Sequence, residues 1–224
     1  MKAIVFDMDG TLLDSMPGWN AVNAQLIEEF DIPMAEVDYD VIITQGFEDL
    51  VRMLKENFDF ETDVNVLYKR ANSIMSRWYK EHSVAREGVL ETLNCFKEAG
   101  IPMGVATATS YELAVPALEK AGILEYFDLV YSSSTDGLPK NDKRYWEAVA
   151  KAMGQAPEDM ALFDDALYAL ITAKAAGYTV VALEDEAYGQ DIDQMKRRAD
   201  DYLVGFEHFN PSEWLKKEDT RRVQ

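Results

Sequence analysis

Asp7 and Asp9 follow the first apolar run of the chain, Ala3 to Phe6, and lead into Gly10 and Thr11. If that run is a strand, residues two apart face the same way, so both carboxylates can address one ligand beyond its C-terminal end. An Asp-Gly turn explains one aspartate. It does not explain the pair, because neighbouring carboxylates repel unless a cation or a shared proton relieves them. Asp164 and Asp165 repeat the arrangement after another apolar run, Met160 to Phe163, directly before a helical pattern. One of them suffices to cap that helix, and the other is left over. If the two runs lie side by side, three or four carboxylates meet at one sheet edge. Hard oxygen ligands with room for water and phosphate suit Mg2+.

Two further residues fit an anionic ligand beside such an ion. Thr107 ends the run that starts at Met103 and is followed by Ala108, Thr109 and Ser110. A hydroxyl at a strand end, with amides exposed at a helix start, is a cradle for phosphate oxygens. Taken alone, Thr107 equally reads as a β-branched strand residue ahead of a Ser N-cap. Lys140 stands in the loop Gly137-Leu138-Pro139-Lys140-Asn141-Asp142, and by itself a loop lysine is a solvated charge.

These residues need a sheet to bring them together. Ala3–Phe6, Met103–Thr107, Asp128–Ser132, Met160–Phe163 and Tyr178–Leu183 are short apolar runs without polar alternation, the pattern of strands buried on both faces. Helical patterns separate them. Val89, Leu93 and Phe96 share a face ahead of Gly100, and Ala166–Ala176 ends at Gly177. Strands alternating with helices predict an α/β fold with a doubly wound parallel sheet in a three-layer, Rossmann-like core. Pro116 lies inside the helical run Tyr111–Ala121 and is expected to kink it.

The block 15–84 breaks this rhythm, with helical patterns and little strand. A helix is expected from Pro17 to about Phe30. Leu67, Ala71, Ile74, Met75 and Trp78 line one face of another. The expected division is a core of 1–14 and 85–224 carrying an inserted helical domain at 15–84. Gly46 and Phe47 are the candidates for a substrate-facing loop of that insertion. The charged stretch Lys216–Gln224 reads as a solvated, frayed terminus.

Bulk properties narrow the partners. Lys and Arg total 22 against 41 Asp and Glu, a formal charge of -19. So acidic a surface argues against nucleic acid or an anionic membrane, and an anionic ligand would need local positive charge. One cysteine, Cys95, permits no internal disulfide; it reads as a small core residue. No apolar run approaches membrane-spanning length, and the N-terminal run is too short for a signal sequence. A cytoplasmic protein acting on a small molecule, as a monomer or weak homo-oligomer, is expected.

In order and spacing, Asp7-Met8-Asp9-Gly10-Thr11, Thr107, Lys140 and Asp164-Asp165 resemble the four signature motifs of the haloacid dehalogenase (HAD) superfamily. The helical insertion resembles its type-1 cap domain. The resemblance spans the chain and lies near the β-phosphoglucomutase and phosphoglycolate phosphatase-like group. It implies a Mg2+-dependent phosphohydrolase acting on a small phosphorylated metabolite. By that resemblance Asp7 is the nucleophile, forming an aspartyl-phosphate, and Asp9 is the general acid and base. The metal would be held by the Asp7 carboxylate, the Asp9 backbone carbonyl and Asp165, with Asp164 helping directly or through water. Thr107, the amide at Ala108 and Lys140 would bind the phosphoryl group.

Asp9 also selects among chemistries in that superfamily. The dehalogenases and phosphonatases lack a carboxylate there, so its presence favours phosphoester cleavage or phosphoryl transfer. A β-phosphoglucomutase is the alternative within enzymes. Its pattern departs from this chain in two places: Trp19 stands where mutases carry a His, and Gln45-Gly46-Phe47-Glu48-Asp49 lacks their Arg. A receiver domain would carry its acidic pair on the first strand and its phospho-acceptor on a middle one, the reverse of the order here. A non-catalytic phospho-ligand-binding protein would keep the same residues without turnover.

Overall fold

The computed structural model describes residues 1–33, 50–135, 137–185 and 191–223. Gly46 and Phe47 lie outside the described residues. Its strands are β1 (Ala3–Phe6), β2 (Met103–Thr107), β3 (Leu129–Ser132), β4 (Met160–Asp164), β5 (Thr179–Leu183) and β6 (Asp201–Leu203). The helices are α1 (Met16–Glu29), α2 (Val64–His82), α3 (Val89–Glu98), α4 (Tyr111–Lys120), α5 (Lys143–Ala152), α6 (Leu167–Ala176), α7 (Ile192–Arg198) and α8 (Pro211–Val223). Residues 50–57 are also helical. None of these helices is long and apolar enough to cross a membrane.

All six strands pair in parallel, in the order β3-β2-β1-β4-β5-β6. The chain winds outward from β1 through β2 and β3, then returns to the other side of β1 for β4, β5 and β6. This is a doubly wound sheet, and the reversal between β1 and β4 opens the crevice where such sheets bind ligands. β1, β2 and β4 are buried along their whole length, which is why their sequences show no alternation. β6 did not announce itself in sequence: it is three half-buried residues, too short for a pattern.

Alternation still decides which side chain goes to which layer. Val5, Leu162 and Val180 face one layer with Tyr145, Trp146 and Val149 of α5 and Leu170 and Ala173 of α6. Phe6 and Phe163 face the other layer, their rings stacked at 5.1 Å. Phe96 of α3 and Trp214 of α8 pack on Phe163 at 6.2 and 5.3 Å. Burying each such ring stabilises the fold by roughly 2–3 kcal/mol.

The C-terminal stretch corrects an expectation. It is not a frayed tail through Val223 but part of α8. Trp214 Nε1 donates to Asp201 Oδ2 at 3.0 Å, Lys217 pairs with Asp201, and Arg221 reaches both Asp201 and the buried Glu218. The apolar anchor of this helix is a single tryptophan among charges, so periodicity does not reveal it. Cys95 also differs from expectation: it is half-buried, with Sγ 3.1 Å from Ser212 Oγ of α8. Gly177 does close α6, at φ 112, a conformation that favours glycine. Pro116 sits within α4, which runs from Tyr111 before it to Lys120 after it.

A second compact unit comprises Pro17–Glu81, the first being Met1–Met16 with His82–Gln224. Within the second unit Ile32, Leu50 and Leu54 form a cluster with Ile27, Phe30 and Phe58 packed against it. Gly18 of α1 lies against the Trp78 ring of α2 so closely that a Cβ there would meet it at 2.5 Å. The buried stripe of α2 is Leu67, Ala71, Met75 and Tyr79, a strict four-residue step, with Ile74 and Trp78 only half-buried.

Candidate active site

Phe6 and Phe163 are the last paired positions of β1 and β4, and the Asp7 amide continues the ladder by donating to the Phe163 carbonyl at 2.9 Å. Asp7 and Asp164 therefore stand side by side. By strand alternation both point to the α5–α6 layer, the side from which the loop before α5 arrives. Lys140 comes from that loop. Its Nζ donates to Asp7 Oδ1 at 2.6 Å and to Asp164 Oδ2 at 2.7 Å, with its side chain 2 % exposed. The remaining oxygen of Asp164, Oδ1, accepts the Ala166 amide at 2.8 Å, so this residue also serves the start of α6.

Lys140 needs an anchor because its loop belongs to no strand. Its carbonyl accepts from Trp146 Nε1 at 3.0 Å and from Thr172 Oγ1 at 2.7 Å. Its ammonium lies 5.7 Å from the centre of a Trp146 ring. Trp146 thus holds both ends of the residue, one by a hydrogen bond and one by a cation–π contact.

Asp165 is oriented from the turn after β1: Thr11 Oγ1 donates to its Oδ1 at 3.0 Å. Gly10 passes directly over it, with φ 79, and a Cβ there would stand 2.5 Å from Asp165 Oδ2. Only glycine lets the backbone approach the carboxylate so closely.

Asp9 corrects the expectation of strand alternation. β1 stops at Phe6, and Asp9 belongs to a turn closed by Leu12 and Leu13 amides on the Met8 carbonyl. Its Oδ1 accepts from Ser15 Oγ at 2.6 Å and its Oδ2 from Thr109 Oγ1 at 2.7 Å. Asp9 is thus held beside the strand ends but apart from the carboxylate cluster, which comprises Asp7, Asp164 and Asp165.

The turn after β2 lies against Asp9 through that Thr109 bond. Thr107 is buried at the end of β2, and its Oγ1 accepts the Thr109 amide at 3.0 Å. Ala108 between them is exposed. Arg86 braces the neighbouring turn. Its amide donates to the Leu12 carbonyl at 2.9 Å. Its guanidinium donates to the Gly10 carbonyl, to the Glu184 carbonyl at 3.0 Å and to Asp185 Oδ2 at 3.1 Å. The Asp9-bearing turn is thereby tied to the end of β5.

Burial dominates the electrostatics. It pushes the Asp7 carboxyl up to about 7, against the lowering effect of Lys140, with Asp164 and Asp9 pushing it further up. Burial also raises Asp164, and it lifts Asp165 well above the ordinary carboxylate range with help from Asp7 and Asp164. For Lys140 burial alone would depress the ammonium, but Asp164 and Asp7 hold it well above its usual value. Oxygens of Asp7, Asp164 and Asp165 lie within 4.8 Å of one another. Three carboxylates gather here around one ammonium. An all-oxygen cluster of acidic groups fits a hard divalent cation.

Of the residues singled out in sequence, Asp7, Asp164, Asp165 and Lys140 meet at one point. Asp9, Thr107 and Ala108 border it. Arg86, Ser15, Trp146 and Thr172 were not foreseen as part of the site. Ser15 and Thr11 carried a signal, since both lie within a few residues of Asp9. Arg86, Trp146 and Thr172 carried none, because each is recruited by tertiary contact.

Comparison with known proteins bears on the family and the fold. A family profile described as haloacid dehalogenase-like hydrolase matches residues 1–177. A phosphoglycolate phosphatase of Thiobacillus denitrificans is 31% identical over 186 residues, covering 80% of this chain and 82% of that protein. One from Nitrosospira multiformis is 33% identical over 187 residues, covering 79% and 80%. Among solved structures, a β-phosphoglucomutase from Clostridium difficile superposes with a TM-score of 0.81 at 17% identity, covering 100% of both chains.

Proposed function

The chain belongs to the haloacid dehalogenase-like hydrolases and is a phosphohydrolase; from that premise we propose that it cleaves a monoester of a small phosphorylated metabolite through an aspartyl-phosphate on Asp7. The observation that carries this reading is the joint hold of Lys140 on Asp7 and Asp164 at the strand-order reversal.

A carboxylate is a poor nucleophile toward an anion until the mutual repulsion is screened. We assign Mg2+ to Asp7, Asp164 and Asp165, with the Asp9 carbonyl as a further ligand; when bound, it supplies that screening and aligns the phosphoryl group. Asp7 then attacks phosphorus in line, forming an O–P bond while the bond to the leaving oxygen breaks. Asp9 delivers a proton to that oxygen and afterwards takes one from the water that attacks the aspartyl-phosphate, releasing inorganic phosphate and regenerating Asp7. Ser15 and Thr109 hold the Asp9 carboxylate in one place for both transfers. Lys140, Thr107 and the Ala108 amide neutralise charge on the transferring group.

In this proposal residues 15–84 are the cap domain that sets specificity, and Gly46 and Phe47, outside the described residues, are the candidates for its substrate loop. Phosphoglycolate leads the candidate substrates, because relatives 31–33% identical to this chain carry that name. Hydrolysis is favoured over mutase chemistry because Trp19 replaces the mutase His. The test is phosphate release from a panel of monoesters, including phosphoglycolate, sugar phosphates and an aryl phosphate, with and without Mg2+. Mg2+-dependent release is expected. No release from any monoester by folded protein would overturn the reading. Conversion of β-glucose 1-phosphate to glucose 6-phosphate with little free phosphate would replace it with the mutase.

A further inference from the structure

We propose that Ser132 and Ser133, at the end of β3, are positioning residues that set the anion-binding turn after β2 by holding its carbonyls. The inference rests on the reading that this turn receives the phosphoryl group.

Three successive carbonyls of the turn face β3. The Thr107 carbonyl accepts the Ser133 amide at 2.9 Å. The Ala108 carbonyl accepts from Ser133 Oγ at 3.1 Å. The Thr109 carbonyl accepts from Ser132 Oγ at 2.7 Å. In a planar trans peptide the carbonyl and the following N–H point in opposite directions. Fixing these three carbonyls toward β3 therefore aims the amides of Ala108, Thr109 and Ser110 away from it. The Thr109 amide is taken within the turn by Thr107 Oγ1. The amides of Ala108 and Ser110 remain as the pair that can grip an anion.

The hydroxyl protons can be assigned. A carbonyl only accepts, so Ser132 Oγ must donate to Thr109. Ser134 then supplies both remaining contacts of that oxygen, through its amide at 3.1 Å and its own hydroxyl at 2.8 Å. Ser132 is fully buried and is spent on this bond. The β2–β3 ladder ends at the pair Thr107 and Ser132, so backbone pairing alone cannot orient the turn beyond it. The two side chains extend the hold past the last paired residues. Thr109, the residue Ser132 fixes, also donates its hydroxyl to Asp9.

The test compares wild type with Ser132→Ala, Ser133→Ala and Ser133→Thr. Three quantities are measured on each: inhibition of aryl phosphate turnover by inorganic phosphate, Mg2+ affinity in phosphate-free buffer, and melting temperature. Each alanine variant is expected to bind phosphate roughly 3- to 10-fold more weakly, the effect of one lost hydrogen bond. Mg2+ affinity should change less than about 2-fold, since no ligand of the cluster is touched. Ser133→Thr, which keeps the hydroxyl at a half-buried position, should restore phosphate binding. Unchanged phosphate inhibition in a folded alanine variant would overturn the inference. So would parallel losses of phosphate and Mg2+ affinity that track the melting temperature, the mark of a merely structural role. Wild type that neither turns over nor binds phosphate would instead sink the hydrolase reading, and this inference with it.

Discussion

Asp7 and Asp164 sit one residue beyond the last paired positions of neighbouring parallel strands, and a single ammonium, that of Lys140, bonds to both. Both carboxylates are buried, so Asp7, the proposed nucleophile, is also a cost to the fold. Asp7→Asn is expected to lower kcat by about 10^3-fold or more, as loss of a nucleophile does. The same change should not lower the melting temperature of metal-free protein, because it removes a buried acidic group from a cluster of acidic groups. Initial rates and thermal melts on one preparation check both halves.

Metal-free protein should lose stability as pH rises from about 4 to 7. Burial raises Asp7 from the ordinary 3.8 to about 7, and raises Asp164 and Asp165 in the same direction. Between those values the folded protein retains protons that the unfolded chain has released, so unfolding becomes easier with increasing pH. Lys140 is charged throughout that window and adds no slope. A divalent cation favours the ionised carboxylates, so stabilisation by Mg2+ should be larger at pH 8 than at pH 5. Melts in EDTA and in Mg2+ across this range test it; equal Mg2+ stabilisation at both pH values would count against a metal at these carboxylates.

Gly10→Ala should damage the metal site. The new Cβ would stand 2.5 Å from Asp165 Oδ2, at a residue whose φ is 79. Backbone strain of this kind costs on the order of 1–3 kcal/mol. Displacement of Asp165 should weaken Mg2+ binding by at least about 10-fold, measured by the Mg2+ dependence of phosphate release.

Lys140 can be disturbed without touching it. Thr172→Val and Trp146→Phe each remove one donor from the Lys140 carbonyl. A stability loss of about 1 kcal/mol is expected for Thr172→Val. Both variants should lower kcat by roughly 10-fold, because a displacement of the order of 1 Å at a catalytic group is costly. Full kcat in both variants would show that packing alone places Lys140.

Trp214→Ala tests the docking of α8. The ring lies against Phe163 and Phe96 at 5.3 and 6.0 Å. Its removal should cost about 3–5 kcal/mol of stability. Denaturant melts measure the loss, and turnover per folded molecule should stay near wild type, since the ring lies on the sheet face opposite Lys140.

The legibility of this chain varied with distance along it. Five strands could be read because each is a short apolar run ended by a polar or turn residue. β6 and α8 could not, because β6 is only three residues long and α8 is docked by tertiary contacts, such as Trp214 on Phe96 and Phe163. Asp9 is instructive. Its importance was plain from its spacing to Asp7, yet the reason offered, strand alternation, fails because β1 ends at Phe6. A turn delivers it instead, held by Ser15 from nearby and Thr109 from far away.

By itself the sequence determined the chemical types at the strand ends and their order along the chain, because local periodicity and turn residues fix where strands stop. Tertiary structure alone decided which of those groups touch. Parallel register set Asp7 beside Asp164, and the packing of α5 and α6 drew Lys140 out of water and between them. Burial then turned an ordinary loop lysine and three ordinary aspartates into a cluster whose carboxyls are all raised and whose ammonium is held charged. Proximity and desolvation are properties of the folded chain, and the chemistry proposed for this protein depends on both.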